Sequence, residues 1–132
     1  MVVQYKNAFL LAGIVIVTIV IGIARRGGLQ SVLAQKVSQG TQTITLTEAG
    51  FEPATVTITQ GTTVTFKTTR GDAFWPASDL HPTHDIYPEF DPKEPTDANK
   101  TWSFKFDKVG TWKYHDHLFP YYRGTITVTK PQ

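Results

Sequence analysis

The sequence predicts an all-β domain, a sandwich or small barrel, carried behind an apolar N-terminal segment. Three observations predict it. From Gln42 onward apolar and polar residues alternate with period two, and threonine fills much of the polar face. Glycine-containing turns punctuate the runs. Ahead of them, residues 8–24 form an apolar stretch without a charge. Side chains i and i+2 share one face of a strand, so the alternation describes half-buried, antiparallel strands.

Residues 8–24 read AFLLAGIVIVTIVIGIA, preceded by Lys6 and followed by Arg25 and Arg26. Seventeen residues sit at the lower limit of a transmembrane helix. A signal peptide cleaved after Val32-Leu33-Ala34 is the alternative, although two arginines would then lie between the apolar run and the cleavage point. Residues 1–26 are therefore read as a membrane anchor or signal segment, 27–41 as a small, polar linker, and 42–132 as the folded domain. Basic residues flank both ends of the apolar run, so export of the body is argued from the domain itself.

Charge follows the same division. Residues 1–34 hold Lys6, Arg25 and Arg26 and no acid, leaving 10 basic and 11 acidic groups among the 13 and 11 of the whole chain. The body thus has no basic excess with which to bind nucleic acid. The chain has no cysteine, which excludes disulfides, thiol catalysis, iron–sulfur clusters and any metal–thiolate centre.

Within the domain, strands are predicted over Gln42–Glu48, Thr55–Thr59, Thr62–Thr68, Thr101–Phe106, Thr111–His115 and Gly124–Thr129. Trp102, Phe104, Phe106, Trp112 and Tyr114 form an aromatic stripe read as core, because a small domain needs the area that inward aromatics bury. Arg70–Lys100 breaks the pattern. It has no sustained period, holds most of the prolines, and is longer than a connecting loop needs to be. Phe74, Trp75, Tyr87 and Phe90 within it predict that it packs on the domain.

The four histidines fall into two pairs: His81 and His84 in that long stretch, and His115 and His117 at a strand end. Two close pairs far apart in sequence are the pattern of a metal site assembled by a fold. Imidazole without sulfur suits copper(II) or zinc. His115 and His117, spaced i and i+2, share a face. Trp112 and Tyr114 point inward by the same alternation, which sends Asp116 inward and both histidines outward. A bend at Leu118-Phe119-Pro120 would release His117 from that register. The plain alternatives are solvent-facing or hydrogen-bonded histidines and a structural Asp116.

Residues 42–129 resemble the cupredoxin family. Gly50-Phe51-Glu52-Pro53 and the run from Val56 to Phe66 are similar to the opening strands of plastocyanin-like members. Gly110-Thr111-Trp112-Lys113-Tyr114-His115 and the run from Arg123 to Val128 are similar to the last two strands around the copper loop. The resemblance implies a copper-binding Greek-key β-sandwich outside the cytoplasm. Small blue members carry Cys, His and often Met in that loop. By position Asp116, Phe119 and Tyr122 stand in their places, so a blue centre is excluded. Tyr114-His115-Asp116-His117 instead resembles the Tyr-His-x-His strand end of multicopper oxidases, and His81-Pro82-Thr83-His84 their His-Pro-x-His loop. There, histidine pairs of two domains face each other; a single domain needs its own loop or a second subunit.

Together these give an expectation of a membrane-tethered, extracytoplasmic protein that binds copper, or zinc, which accepts the same ligands. The ligands are His81, His84, His115 and His117, with Asp116 either a fifth ligand or an orienting group. Asp79, Asp85 and Glu89 are candidates to hold a ligating imidazole by its other N–H. The expected role is copper binding, delivery or tolerance, with a homo-oligomer or a redox or copper-delivery partner. The rivals are a copper-dependent oxidoreductase acting as an oligomer and a metal-free structural domain.

Overall fold

Alternation sets which side chains turn inward, and two sheets close over them. A computed structural model of the chain describes residues 40–132. The predicted anchor and most of the linker lie outside the described residues, and among those described no helix is long and apolar enough to cross a membrane. Eight strands follow in order: β1 (Thr41–Thr47), β2 (Gly50–Glu52), β3 (Thr55–Thr59), β4 (Thr63–Thr68), β5 (Pro76–Ser78), β6 (Trp102–Lys105), β7 (Gly110–Asp116) and β8 (Arg123–Thr129). One sheet has the order β2-β1-β4-β6 and the other β3-β8-β7-β5.

All six predicted strands are present, and β2 and β5 are additional. The expectation of antiparallel pairing is corrected at two ladders: β1 runs parallel to β4, and β3 parallel to β8. The chain crosses from one sheet to the other between β2 and β3 and again between β3 and β4, so β3 pairs with neither of the strands that flank it in sequence. Alternation reports which face is buried and carries no information on the neighbour.

The core lies between the sheets. Ile44 and Leu46 of β1, Val64 and Phe66 of β4, Ile58 of β3 and Ile126 of β8 are buried essentially completely. Each such side chain contributes roughly 1.5–3 kcal/mol by leaving water. Of the aromatic stripe, Phe106 and Tyr114 are fully buried, whereas Trp102, Phe104 and Trp112 are partly buried against the core. The Tyr114 ring lies across Gly124, where any side chain would collide with it. The irregular stretch packs as expected: Phe74, Tyr87 and Phe90 join the core cluster, and Phe90 stacks on Trp102 and Phe104. This apolar seat fixes the loop that carries half of the histidines.

Candidate metal centre

Strand β7 builds one side of the site. Tyr114 belongs to the core, so the pleat turns His115 to the opposite face. His117 keeps that face because its N–H donates to the Trp75 carbonyl at 2.7 Å, extending the ladder beyond β7. The chain reverses only afterwards, where Phe119 N–H donates to the Asp116 carbonyl (3.1 Å) and Tyr122 N–H to that of Phe119 (3.0 Å). The bend therefore leaves His117 in register with His115.

Strand β5 builds the other side. It pairs antiparallel with β7, Ala77 opposite His115 and Ser78 opposite Tyr114. The buried Ser78 hydroxyl lies 2.9 Å from the His84 carbonyl and 3.0 Å from that of Tyr87, and accepts the Tyr87 N–H at 3.3 Å. His84 N–H donates to the Leu80 carbonyl (2.6 Å) and Ile86 N–H to that of Asp79 (3.0 Å). Within this tight turn His84 adopts φ 57°, the left-handed region that residues other than glycine enter rarely. The turn folds both loop histidines back over β7.

The two pairs converge. One ring nitrogen from each of His81, His84, His115 and His117 lies within 4.8 Å of the others, the one such grouping among the described residues. Hydrogen bonding fixes which nitrogens face inward. His115 Nδ1 lies 2.8 Å from Asp79 Oδ1, leaving Nε2 toward the cluster, 3.3 Å from His81 Nδ1. His84 Nδ1 lies 2.7 Å from Asp91 Oδ2, leaving Nε2 toward His117 Nδ1 at 3.0 Å. His117 also packs on the Trp75 indole, with centroids 4.4 Å apart.

Each orienting carboxylate is itself secured. Arg123 Nη1 donates to both oxygens of Asp79, at 3.1 and 3.4 Å. Asp91 receives Trp75 Nε1, Lys93 N and Lys93 Nζ at 2.8, 2.8 and 3.0 Å besides His84. Burial alone would raise the Asp91 pKa, but these donors outweigh it and hold the carboxyl well below the usual range. Of the orienting groups expected from sequence, Asp79 does this work. Asp85 accepts the Thr83 hydroxyl and Glu89 pairs with Lys108. Asp91 was missed: it is seven residues from His84, and no local spacing relates a carboxylate to a ring across an irregular loop. Burial lowers the His115 pKa despite Asp79, and burial together with the neighbouring imidazoles lowers that of His117. Both rings are thus held in the neutral form that binds metals.

Asp116 stands apart from the four nitrogens. It is fully buried, and its Oδ1 accepts Trp75 N–H at 2.8 Å and Leu118 N–H at 3.3 Å. With the His117–Trp75 backbone bond this clamps the start of β5 to the end of β7. Its Oδ2 has no partner among the described residues. Burial raises its pKa, against the pull of those N–H groups and of Arg70. The Arg70 guanidinium lies over the Phe119 and Tyr122 rings, 4.5 and 5.0 Å from their centroids. A buried cation therefore covers the Phe119 and Tyr122 rings beside Asp116.

No protein-family model matches the sequence, and no curated protein is similar to it. Solved structures are similar in fold. A purple cupredoxin from Nitrosopumilus maritimus shares 21% identity over 67% of this chain and 99% of its own, with a TM-score of 0.58. A reduced Cu(I) form of amicyanin shares 19% over 71% of this chain and 87% of its own, also at 0.58. A copper-containing nitrite reductase from Thermus scotoductus SA-01 shares 22% over 70% of this chain, which spans only 23% of that protein, again at 0.58. The likeness is one of architecture: the described residues have the cupredoxin fold, with a histidine cluster and no cysteine.

Proposed function

We propose that this protein binds one copper ion through His81, His84, His115 and His117, in copper binding, delivery or tolerance. The carrying observation is the convergence of four imidazole nitrogens within 4.8 Å of one another. A metal–nitrogen bond is about 2.0–2.1 Å, so two nitrogens on one ion are at most about 4.2 Å apart. Closing from 4.8 Å needs only a small inward movement. Four nitrogens complete one four-coordinate ion and are too few for two. The donor set, all imidazole and free of sulfur, favours copper, and the titles of the similar amicyanin and nitrite reductase structures name copper in those proteins. Bound there, copper supplies a nitrogen-ligated centre able to hold one or two positive charges. Asp79 and Asp91 fix the tautomers of His115 and His84 and raise their basicity as ligands. Asp116 serves as the clamp of β5 on β7.

The uncharged run of residues 8–24 supports a membrane tether, and the cupredoxin fold of the domain is the ground for placing it on the extracytoplasmic side. A copper-dependent oxidoreductase is the second reading; it is favoured by the exposed edge of the site at His81.

The test is titration of the full chain with copper(II). The expected result is one ion per chain, nitrogen hyperfine structure in the electron paramagnetic resonance spectrum, and no intense thiolate band in the visible. An ion at a hundredfold excess over its Kd stabilises the fold by about 2.7 kcal/mol, read as a rise in Tm. The double variant His115→Ala, His117→Ala should lose the ion and keep its β-sheet circular dichroism. No binding, or binding undiminished in that variant, refutes the proposal, and turnover of a small molecule by the loaded protein would favour the enzyme reading.

A further inference from the structure

The four histidines are not held alike. Three have an orienting contact from outside the set of four: Asp79 lies on the far nitrogen of His115 and Asp91 on that of His84, and the Trp75 indole packs against the His117 ring. Two of these three rings are buried outright. His81 differs in both respects. It is exposed, and its contacts among the described residues are His115, at 3.3 Å between ring nitrogens, and the His117 ring at 4.7 Å. Among the described residues no carboxylate, carbonyl or indole is bonded to its ring. Leu80, just before it, is 61% exposed, so no apolar packing of its side chain holds the His81 ring in place.

We infer that His84, His115 and His117 form a rigid three-nitrogen platform, and that His81 is a displaceable fourth ligand whose position admits a small exogenous monodentate nitrogen or oxygen donor. The inference rests on the proposed copper site and adds an order of lability within it. A held imidazole that lets go is still aimed at the ion and returns at once. An unheld one swings into water and leaves its place open. Exchange at His81 breaks one metal–nitrogen bond and makes one to the incoming donor, with no electron transferred. It gives copper a route in and out by stepwise ligand replacement, and gives a small molecule access to the ion.

Glycine substitution in the full chain tests this, with imidazole as the probe. His81→Gly should still bind one copper per chain, at reduced affinity and with an altered resonance spectrum. Added imidazole should restore the resonance spectrum of the unaltered protein. His84→Gly and His115→Gly should lose the ion and recover it far less with imidazole, because both positions are buried and an added ring has no open path to them as it has at exposed His81. In the unaltered protein, excess imidazole should change the spectrum while the copper remains bound; this readout does not depend on any variant folding. The inference fails if His81→Gly leaves the spectrum unchanged, if it loses copper beyond rescue, or if imidazole rescues the other variants equally. Absence of copper binding by the unaltered chain refutes the site itself, and the inference with it. Binding followed by any of the three failures refutes the inference alone.

Discussion

Asp116 sits between two histidines in sequence and faces away from both, because a strand turns successive side chains to opposite faces. Its Oδ1 serves two backbone N–H groups, while Oδ2 is buried without a partner. Asp116→Asn keeps the Oδ1 acceptor and removes the charge, so copper binding should survive it. If Asp116 were a ligand, the resonance spectrum would change. Stability should respond as well. The folded-state pKa of Asp116 is raised above its ordinary 3.8. Its protonated form thus adds stability below 3.8, which is lost as pH rises through the raised value. The Asn variant lacks this loss, so its Tm advantage should be larger near neutral pH than in acid. Thermal melts at both ends check this, and an equal difference at both would count against the assignment.

At the scale of elements, the site is β7 facing the turn after β5. β7 was legible: Trp112 and Tyr114 alternate inward, and the same period places His115 and His117 together. β5 was not. Pro-Ala-Ser offers three small, fully buried residues with no alternation and no branched or aromatic side chain to mark a strand. Its position comes from pairing with β7 and from Phe74 and Phe90 entering the core. Ser78 links the strand to the turn that holds both loop histidines. Ser78→Ala should leave two carbonyls and the Tyr87 N–H without their hydroxyl partner, at about 1–3 kcal/mol. Copper affinity should fall along with Tm, because His84 loses its anchor. A fall in Tm with unchanged affinity would show that the turn holds its shape without Ser78.

Across the whole molecule, folding brings together ionisable rings that are separate in the unfolded chain. The cost appears as pH dependence. His115 and His117 have folded pKa values below their ordinary 6.5, chiefly through burial. Below 6.5 the unfolded chain takes up protons that the folded chain resists, so stability is complete above 6.5 and declines as pH falls beneath it. Metal-free protein should therefore melt at lower temperature as pH is stepped down from neutral. The copper-loaded protein should lose more over the same interval, because protons compete for its ligands. A metal-free Tm that stays flat through this range would show that the two rings titrate as they do in the unfolded chain.

Sequence alone determined the β class, the inward faces of six strands, the exclusion of a thiolate centre and the identity of the four imidazoles, since period and composition are local properties that need no partner. Only the tertiary structure decided the parallel ladders β1–β4 and β3–β8, the existence of β5, the convergence of the two histidine pairs, the clamp at Asp116 and the hold of Asp91 on His84. Each of these depends on which distant segment lies alongside, and that is set by packing side chains from both sheets, with Phe74, Tyr87 and Phe90 of the long loop, into one core.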